Sequence, residues 1–417
     1  MKPLSIMLIA GEASGDLLAA ELVCELRQQV IARSQDSTRD LQPLKTALAP
    51  RFFGAGGPKM AAAGVELAFD MTQHSVIGFA EVLKNLGKFR RLFRQLLRLA
   101  IERQPDVIVG VDYGGFNLRF GEAIKNHVRR HCREFVPWNP KIVQFVSPQV
   151  WASRPARAQA LAENYDLLLS IFPFEKEWYA RRVPRLRVEF VGHPMIGRGK
   201  KAEVERQKSE VPCVVLLPGS RADEVRRHLP VIYDAATLLK KQIPDLRVMM
   251  VLPDERLKQM VDTYALFGIG AQILKQSNNS GGASLVSIET RIGGLSEALM
   301  QADVAITKSG TITMECAFHG VPAVVFYKTS WPTYVIGKQI VTVKYIAMPN
   351  LLADEAIYPE FIQHQATPEN ISRAALELLR DEKRRGAVQD KLAKIIASLG
   401  GPGAAARAAA AIVRLLP

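Results

Sequence analysis

Ile6-Met7-Leu8-Ile9-Ala10-Gly11-Glu12-Ala13-Ser14-Gly15-Asp16 runs from a continuous apolar stretch straight into a small-residue loop. An uninterrupted apolar run predicts a strand buried on both faces, the habit of a central strand in a parallel sheet. Gly11 and Gly15 allow a tight turn and a close backbone approach to a ligand. Glu12, Ser14 and Asp16 then put polar groups at the strand's carboxyl end, where open α/β sheets bind ligands. The segment is not a Gly-x-Gly-x-x-Gly fingerprint, so dinucleotide binding does not follow from it. The same residues also read as a plain strand-helix turn in which Ser14 caps the helix from Leu17 onward.

Working outward, β-rich runs at residues 4–10, 51–54, 107–111, 142–146, 167–170 and 188–192 alternate with helical patterns. That alternation predicts βαβ units and a parallel sheet covered on both faces. Residues 198–212 are charged, lack an apolar period and read as an interdomain linker. After them strands are expected at 214–217, 247–252, 273, 304–306 and 323–326. The fold class is α/β. One Rossmann-like domain is expected over 1–197 and a second over 198–380, with C-terminal helices over 381–417. The last helix, Ala-rich from residue 403, is expected to dock rather than hang free. Residues 34–50 and 276–287 read as surface loops.

A chain of 417 residues suits two domains, and a mean hydropathy of +0.03 suits packed cores. No apolar stretch approaches the roughly 20 residues of a spanning helix, and the amino terminus lacks a signal-cleavage pattern. Cys24, Cys132, Cys213 and Cys316 are dispersed, as reduced thiols of a cytoplasmic protein are. Lys and Arg number 55 against 41 Asp and Glu, giving a net charge of +14. Such a balance attracts phosphate on a nucleotide, a nucleic acid or a lipid headgroup. No zinc-finger spacing or RNA-binding aromatic motif accompanies it, so a nucleic-acid partner is not expected. No metal-ligand cluster is read from the chain.

Val214-Val215-Leu216-Leu217-Pro218-Gly219-Ser220-Arg221 is a second strand-turn-helix pattern. Ser220 can cap the helix, whose first amides and positive dipole end favour an anion. Arg221 adds a forked cation suited to a diphosphate. Thr307-Lys308-Ser309-Gly310-Thr311 repeats the logic, with Glu315 in the following helix as a carboxylate able to accept ribose hydroxyls. A solvated arginine and a dipole-complementing glutamate are the plainer readings of these two segments. Asp112, just past a buried strand, can be a general base or a turn residue. His193, before Pro194, can face a cleft or simply be structural. Within 79–103, Phe89 and Phe93 lie on an apolar stripe at helical spacing, while Arg90, Arg91 and Arg94 make the polar arc cationic. A helix of that kind either lies on an anionic bilayer or covers a sheet with a solvated basic face.

Taken in order, these segments resemble the lipid-A-disaccharide synthase family, glycosyltransferases of lipopolysaccharide assembly. The resemblance rests on residues 10–16, Gly57-Pro58-Lys59-Met60, residues 76–83, Asp112 to Asn117, Val146 to Ala152, Phe172 to Glu175, Gly192-His193-Pro194, Leu217 to Arg221, Ser309-Gly310-Thr311 and Pro349 to Leu352. It implies a GT-B architecture of two Rossmann-like domains facing across a cleft, with the last helix returning to the first domain. It implies inverting transfer from UDP-2,3-diacylglucosamine to 2,3-diacylglucosamine 1-phosphate (lipid X), forming a β-1,6 disaccharide and UDP.

By resemblance Asp112 is the base, Arg221 neutralises the departing diphosphate and Asn350 is functionally required. Gly219, Ser220, Ser309, Gly310, Thr311 and Glu315 hold the UDP. Gly11, Glu12, Ser14, Asp16 and His193 line the substrate cleft. No metal or cofactor is expected. Membrane-borne substrates imply docking of Phe89, Arg90, Arg91, Phe93 and Arg94 on the inner membrane from the cytoplasmic side, and a homodimer is left open. Gly115 stands where the family carries a second aspartate. Other readings are a GT-B epimerase or transferase acting on another UDP-GlcNAc derivative, and a non-catalytic membrane-surface module.

Overall fold

A computed structural model describes residues 3–37, 49–72, 86–131, 138–198, 211–268 and 287–416. The chain divides into two compact units, Met1–Lys200 with Leu399–Pro417, and Lys201–Ser398. Most of the expected linker, residues 38–48 of the expected 34–50 loop, most of the 276–287 loop, Cys132, the strand expected at 273, the 76–83 motif and the 79–85 part of the basic amphipathic stretch lie outside the described residues.

In the first unit seven parallel strands form one sheet. They are β1 (Ser5–Ala10), β2 (Arg51–Gly56), β3 (Glu66–Asp70), β4 (Val107–Val111), β5 (Lys141–Phe145), β6 (Leu167–Ser170) and β7 (Val188–Phe190). Their order is β3-β2-β1-β4-β5-β6-β7. β1 and β4 read as unbroken apolar runs because helices cover both faces of the sheet, and every residue of β4 is buried. The helices are α1 (Ala13–Ser37), α2 (Pro58–Ala62), α3 (Leu86–Arg103), α4 (Gly114–His131), α5 (Arg157–Asn164) and α6 (Pro173–Arg182). α1 runs through Ser37, so the expected loop at 34–50 starts as helix. β3, Glu-Leu-Ala-Phe-Asp, is a half-buried edge strand without a continuous apolar run, and the sequence reading passed over it.

The second unit repeats the plan with β8 (Cys213–Leu217), β9 (Arg247–Leu252), β10 (Glu289–Ile292), β11 (Val304–Lys308), β12 (Ala323–Tyr327) and β13 (Glu360–Ile362). All are parallel, in the order β10-β9-β8-β11-β12-β13. Its helices are α7 (Ala222–Gln242), α8 (Glu255–Thr263), α9 (Leu295–Gln301), α10 (Ile312–Phe318), α11 (Trp331–Ile340), α12 (Met348–Ala353), α13 (Pro368–Arg380) and α14 (Glu382–Ser398). β10 and β13 are short and only partly apolar, and both escaped a reading based on apolar runs. α14 packs on α10, α12 and α13, so the C-terminal segment divides at 398/399 rather than at 380/381.

The last helix, α15 (Ala404–Val413), lies against α1. Its alanines let the two backbones approach closely, and Ala404, Ala408, Ala409, Ala411 and Ile412 are buried. Gln29 Nε2 donates to Ala406 O at 2.9 Å and Arg33 Nη1 to Val413 O at 2.9 Å. Arg407 anchors the return. Its guanidinium donates to Val191 O at 2.7 Å, Pro402 O at 2.6 Å and Gly401 O at 2.6 Å. Gly192, at φ 84°, is required there: a side chain would begin 2.5 Å from Arg407 Nη2. Arg407→Ala removes three charge-assisted bonds from the junction. It should cost the first unit about 2 kcal/mol in urea unfolding and speed amide exchange along 404–413; unchanged exchange there would contradict the anchoring role.

Candidate functional site

Each sheet reverses its order between its first and fourth strands, at β1/β4 and at β8/β11. Right-handed crossovers leave such a pair toward opposite faces and open a crevice at the carboxyl ends. The 10–16 and 112–117 motifs follow β1 and β4 at the first of these places, and the 217–221 and 309–311 motifs follow β8 and β11 at the second.

In the first unit, Asp112 and Tyr113 follow β4 with φ of 52° and 45°. Two successive left-handed non-glycine residues cost on the order of 1–3 kcal/mol each. The surrounding bonds hold them there. Asp112 N donates to Phe145 O at 2.7 Å. Asp112 O accepts from Asn117 Nδ2 and Gln144 Nε2, each at 2.8 Å. Both amide side chains are buried, and Asn117 Oδ1 and Gln144 Oε1 have no hydrogen-bond partner. Burial raises the Asp112 carboxyl pKa against the opposing bond from the Tyr113 amide. Tyr113 is raised by burial and then by the Glu12 charge, and its ring lies 2.4 Å from where a Gly11 side chain would begin. Gly15 comes within 3.6 Å of Asp112 Cβ by the same measure. Glu12 is half-buried and Ser14 exposed at this crevice. At Gly115 a side chain would meet nothing within 4 Å, so the missing second aspartate leaves open space.

Two expected cleft residues have other duties. Asp16 is buried, and its carboxylate accepts Gly57 N at 2.8 Å, Lys59 N at 3.0 Å and Met60 N at 3.0 Å. It gathers the first amides of α2, which explains the Gly57-Pro58-Lys59-Met60 segment, and it is not a cleft-lining group. His193 is also buried; its amide donates to Leu399 O at 2.9 Å and its Nδ1 accepts Met195 N at 3.3 Å. Burial, aided by the Arg198 charge, pushes its pKa down to about 4. His193 is a neutral structural group where the last segment returns.

A third cluster joins two motifs that had no assigned chemistry. Glu175 accepts Trp151 Nε1 at 3.0 Å and Phe172 N at 3.3 Å, while Ser147 Oγ donates to Tyr179 Oη at 3.3 Å and Tyr179 Oη to Pro148 O at 3.2 Å. Burial lifts Glu175 to about 7. These bonds fix the segment after β5, next to the Asp112 turn.

In the second unit Arg221, not Ser220, is the N-cap of α7, and its side chain makes no capping bond. The helix starts one residue later than expected. The Arg221 side chain is 65% exposed and 3.8 Å from Glu224. Glu224 Oε1 accepts from Lys308 Nζ at 3.3 Å; Oε2 lies 3.2 Å from the same ammonium, outside hydrogen-bonding geometry. This largely buried ion pair ties the Gly219–Arg221 turn to the Ser309–Thr311 turn. His228, fully buried, ties a third: Nδ1 donates to Pro218 O at 2.6 Å and Nε2 accepts Lys328 N at 3.3 Å. Glu224, Lys308 and His228 were missed by the sequence reading. Glu224 stands 84 positions from Lys308, so no local spacing announces the pair.

Ser309 Oγ donates to Ile346 O at 2.8 Å, and Thr313 Oγ1 to Gly310 O at 2.7 Å. Thr311 is the exposed N-cap of α10, and Glu315 is half-buried in its first turn. Asn350 has spent all its bonds. Its Nδ2 donates to Tyr358 O and Glu360 Oε1, both at 2.8 Å, and its Oδ1 accepts Ile357 N at 3.0 Å and Tyr358 N at 2.8 Å. Glu360 in turn accepts Ile346 N and Ala347 N. Asn350 is therefore a positioning residue that acts through Glu360 on the segment holding Ser309, rather than a group open to substrate.

On α3, Arg90, Arg91 and Arg94 are exposed and Phe89 is half-buried. Phe93 points inward, edge-on to Phe116 at 5.3 Å and Phe120 at 5.6 Å, which takes it out of any docking face. His127 and His131 form an i, i+4 pair that the sequence reading overlooked. Their rings stack at 4.4 Å, and among the described residues no group of three or more His, Cys, Asp or Glu side chains could hold a metal ion.

The family model described as lipid-A-disaccharide synthetase matches residues 6–413. A lipid-A-disaccharide synthase of Trichlorobacter lovleyi is 32% identical over 100% of this chain and 98% of its own length. One of Nitrosococcus oceani is 33% identical over 95% and 92%. Among solved structures, the glycotransferase of kitacinnamycin superposes with a TM-score of 0.59 at 20% identity, covering 100% of both chains. The UDP-GlcNAc 2-epimerase of Neisseria meningitidis bound to UDP-GlcNAc gives 0.54 at 11% identity over 100% of this chain and 99% of that one. At those identities the likeness is one of fold.

The His193 shift has a defined sign. Below its unfolded pKa near 6.5 the unfolded chain binds a proton that the native state refuses down to about 4. Stability is therefore lost as pH falls through that window, by about 3 kcal/mol. His193→Gln should flatten denaturant stability between pH 6.5 and 4 relative to wild type; an unchanged slope would contradict the burial of a neutral ring.

Proposed function

We propose a residue-level mechanism from one premise: the chain belongs to the lipid-A-disaccharide synthase family, and is a glycosyltransferase that takes a UDP-sugar donor and a lipid acceptor. In this reading the donor is UDP-2,3-diacylglucosamine, the acceptor is 2,3-diacylglucosamine 1-phosphate, and the products are the β-1,6 disaccharide 1-phosphate and UDP. The supporting observation is a pair of switch-point sites with opposite chemistry on one chain. The first unit offers a buried carboxyl of raised pKa, Asp112. The second offers glycine turns and two cations, Arg221 and Lys308.

The acceptor's 6-hydroxyl oxygen attacks donor C1 from the face opposite the diphosphate. Its proton passes to the Asp112 carboxylate as the C1–oxygen bond breaks, and UDP leaves with the bonding pair. One in-line displacement inverts the anomeric centre. Asp112 suits the base because burial raises its proton affinity toward the working pH. Asn117 and Gln144 act through its carbonyl, fixing where the carboxylate stands. Negative charge grows on the diphosphate as C1 departs, and Arg221 stabilises it there. Lys308, already partly offset by Glu224, adds a second cation beside the same turn. Gly310 and Thr311 supply amide and hydroxyl donors to the UDP, and Glu315 takes the ribose hydroxyls. Ser309, whose hydroxyl and amide already donate to Ile346 O and Phe326 O, holds their turn in place beside it. With charge handled by side chains and amides, the reaction in this reading needs no metal or cofactor.

In this reading Gly11, Glu12 and Ser14, in the loop after β1, line the acceptor crevice, whereas Asp16 and His193 keep their structural duties. Among the described residues no helix is long and apolar enough to cross a membrane. Peripheral association with the inner membrane, through exposed Arg90, Arg91 and Arg94 of α3, supports access to lipid substrates.

Purified protein given both acylated sugars should release UDP and consume non-acylated UDP-GlcNAc far more slowly. Preference for the non-acylated sugar would point to another UDP-sugar enzyme. Asp112→Asn should lower turnover by about 10²–10⁴. Because burial raises the Asp112 pKa, the acid limb of kcat/KM should lie above the ordinary 3.8; near-wild-type turnover of this variant would place the base elsewhere. Arg221→Ala should reduce kcat by about 10²–10³ while leaving the Asp112 limb in place.

A further inference from the structure

The exposed large hydrophobic side chains among the described residues are few, and three of the seven, Trp331, Val335 and Val341, fall within one stretch of eleven residues. Trp331 is 68% exposed. On α11, Trp331, Tyr334, Val335 and Lys338 are spaced i, i+3, i+4, i+7 and so share a face. The Trp331 and Tyr334 rings stand 5.7 Å apart. Beyond the helix, exposed Lys344 lies over the Tyr345 ring at 4.9 Å. From residue 316 to residue 353 the sequence carries no Asp or Glu, while Lys328, Lys338 and Lys344 give it three fixed positive charges.

An apolar patch left in water marks a contact surface. Aromatic and aliphatic side chains edged by lysine, with no acid nearby, fit the headgroup boundary of an anionic bilayer. A second copy of this face would set lysine against lysine, and the buried centres of protein interfaces are poor in lysine. Position agrees with a lipid role. β12 leads through Lys328 directly into α11, and β12, β11 and β8 are neighbours in the sheet. At about 4.8 Å per strand, the patch begins roughly 10 Å across the sheet from the Gly219–Arg221 turn. His228 links that turn to Lys328.

We propose that Trp331, Tyr334, Val335 and Val341, with Lys338 and Lys344, seat the second unit on an anionic bilayer. This surface is separate from the arginine face of α3. It draws on the lipid-substrate reading only for its purpose, since the geometry stands without it.

Trp331 is its own reporter. Trp138 and Trp151 are buried, and the Trp178 ring is covered by Arg182. The full chain is titrated with vesicles of brominated phosphatidylcholine, with and without phosphatidylglycerol. Expected are a blue shift and bromine quenching in the anionic vesicles alone, both absent in Trp331→Phe. Lys338→Glu with Lys344→Glu should weaken partitioning at least about tenfold, from roughly 1 kcal/mol per basic residue. Sedimentation with vesicles without Trp331 quenching would overturn the proposal, as would shielding of Trp331 by self-association without lipid. Failure of the transferase reading would show instead as absent UDP release from detergent-dispersed substrates, and would leave the vesicle titration unchanged.

Discussion

Parallel strands point all their carboxyl ends to one edge of a sheet, and a reversal of strand order opens that edge between two diverging connections. Everything chemical in this chain follows from meeting that constraint twice. At β1/β4 the opening is lined by a strained aspartate turn. At β8/β11 it is lined by glycine turns and cations. The two crevices differ because their floors differ. Beneath Asp112 lie neutral amides, Asn117 and Gln144, which hold the backbone while leaving the carboxylate's charge uncompensated. Beneath Ser220 and Ser309 lies an ion pair, Glu224 with Lys308, which keeps positive charge at the surface without leaving it isolated in the interior. A proton acceptor needs the first environment, and an anion site needs the second.

Buried polar groups set both sites. Asp16 collects three amides, Asn350 makes four bonds, and His228 bridges two loops. Each ties a turn to its neighbour, and loss of any partner would leave a buried donor or acceptor unmatched at about 1–3 kcal/mol. Such residues look functional in a sequence because they stand beside the chemistry. Their work is to define where the reacting groups stand.

The architecture was legible where strands are apolar throughout. β1, β4, β8, β9, β11 and β12 are buried central strands, and their runs announce them. β3, β10 and β13 are short, half-polar edge strands, and an apolar-run reading has nothing to detect in Glu-Leu-Ala-Phe-Asp or Glu-Phe-Ile. Among candidate site residues, the placement of Asp112 directly after β4 and of Arg221 in the turn after β8 was legible because both strands are unbroken apolar runs. The duties of Asp16, His193, Asn350 and Phe93 were not, because each depends on a partner 23 or more positions away, or on many bonds closed by tertiary packing. Asn350 is the exception in distance, closing a local loop with residues 357–360, yet its burial is invisible to sequence. Glu224 and Lys308, 84 positions apart, show the same limit from the other side.

The central claim is a single displacement with base and leaving-group charge handled by separate units of one chain. Rapid-quench measurement of UDP release under single-turnover conditions, with donor alone and then with lipid acceptor, tests it most directly. The account predicts no UDP from donor alone, and release in step with β-linked disaccharide once acceptor is present. A burst of UDP from donor alone, leaving sugar bound covalently to the protein, would contradict it.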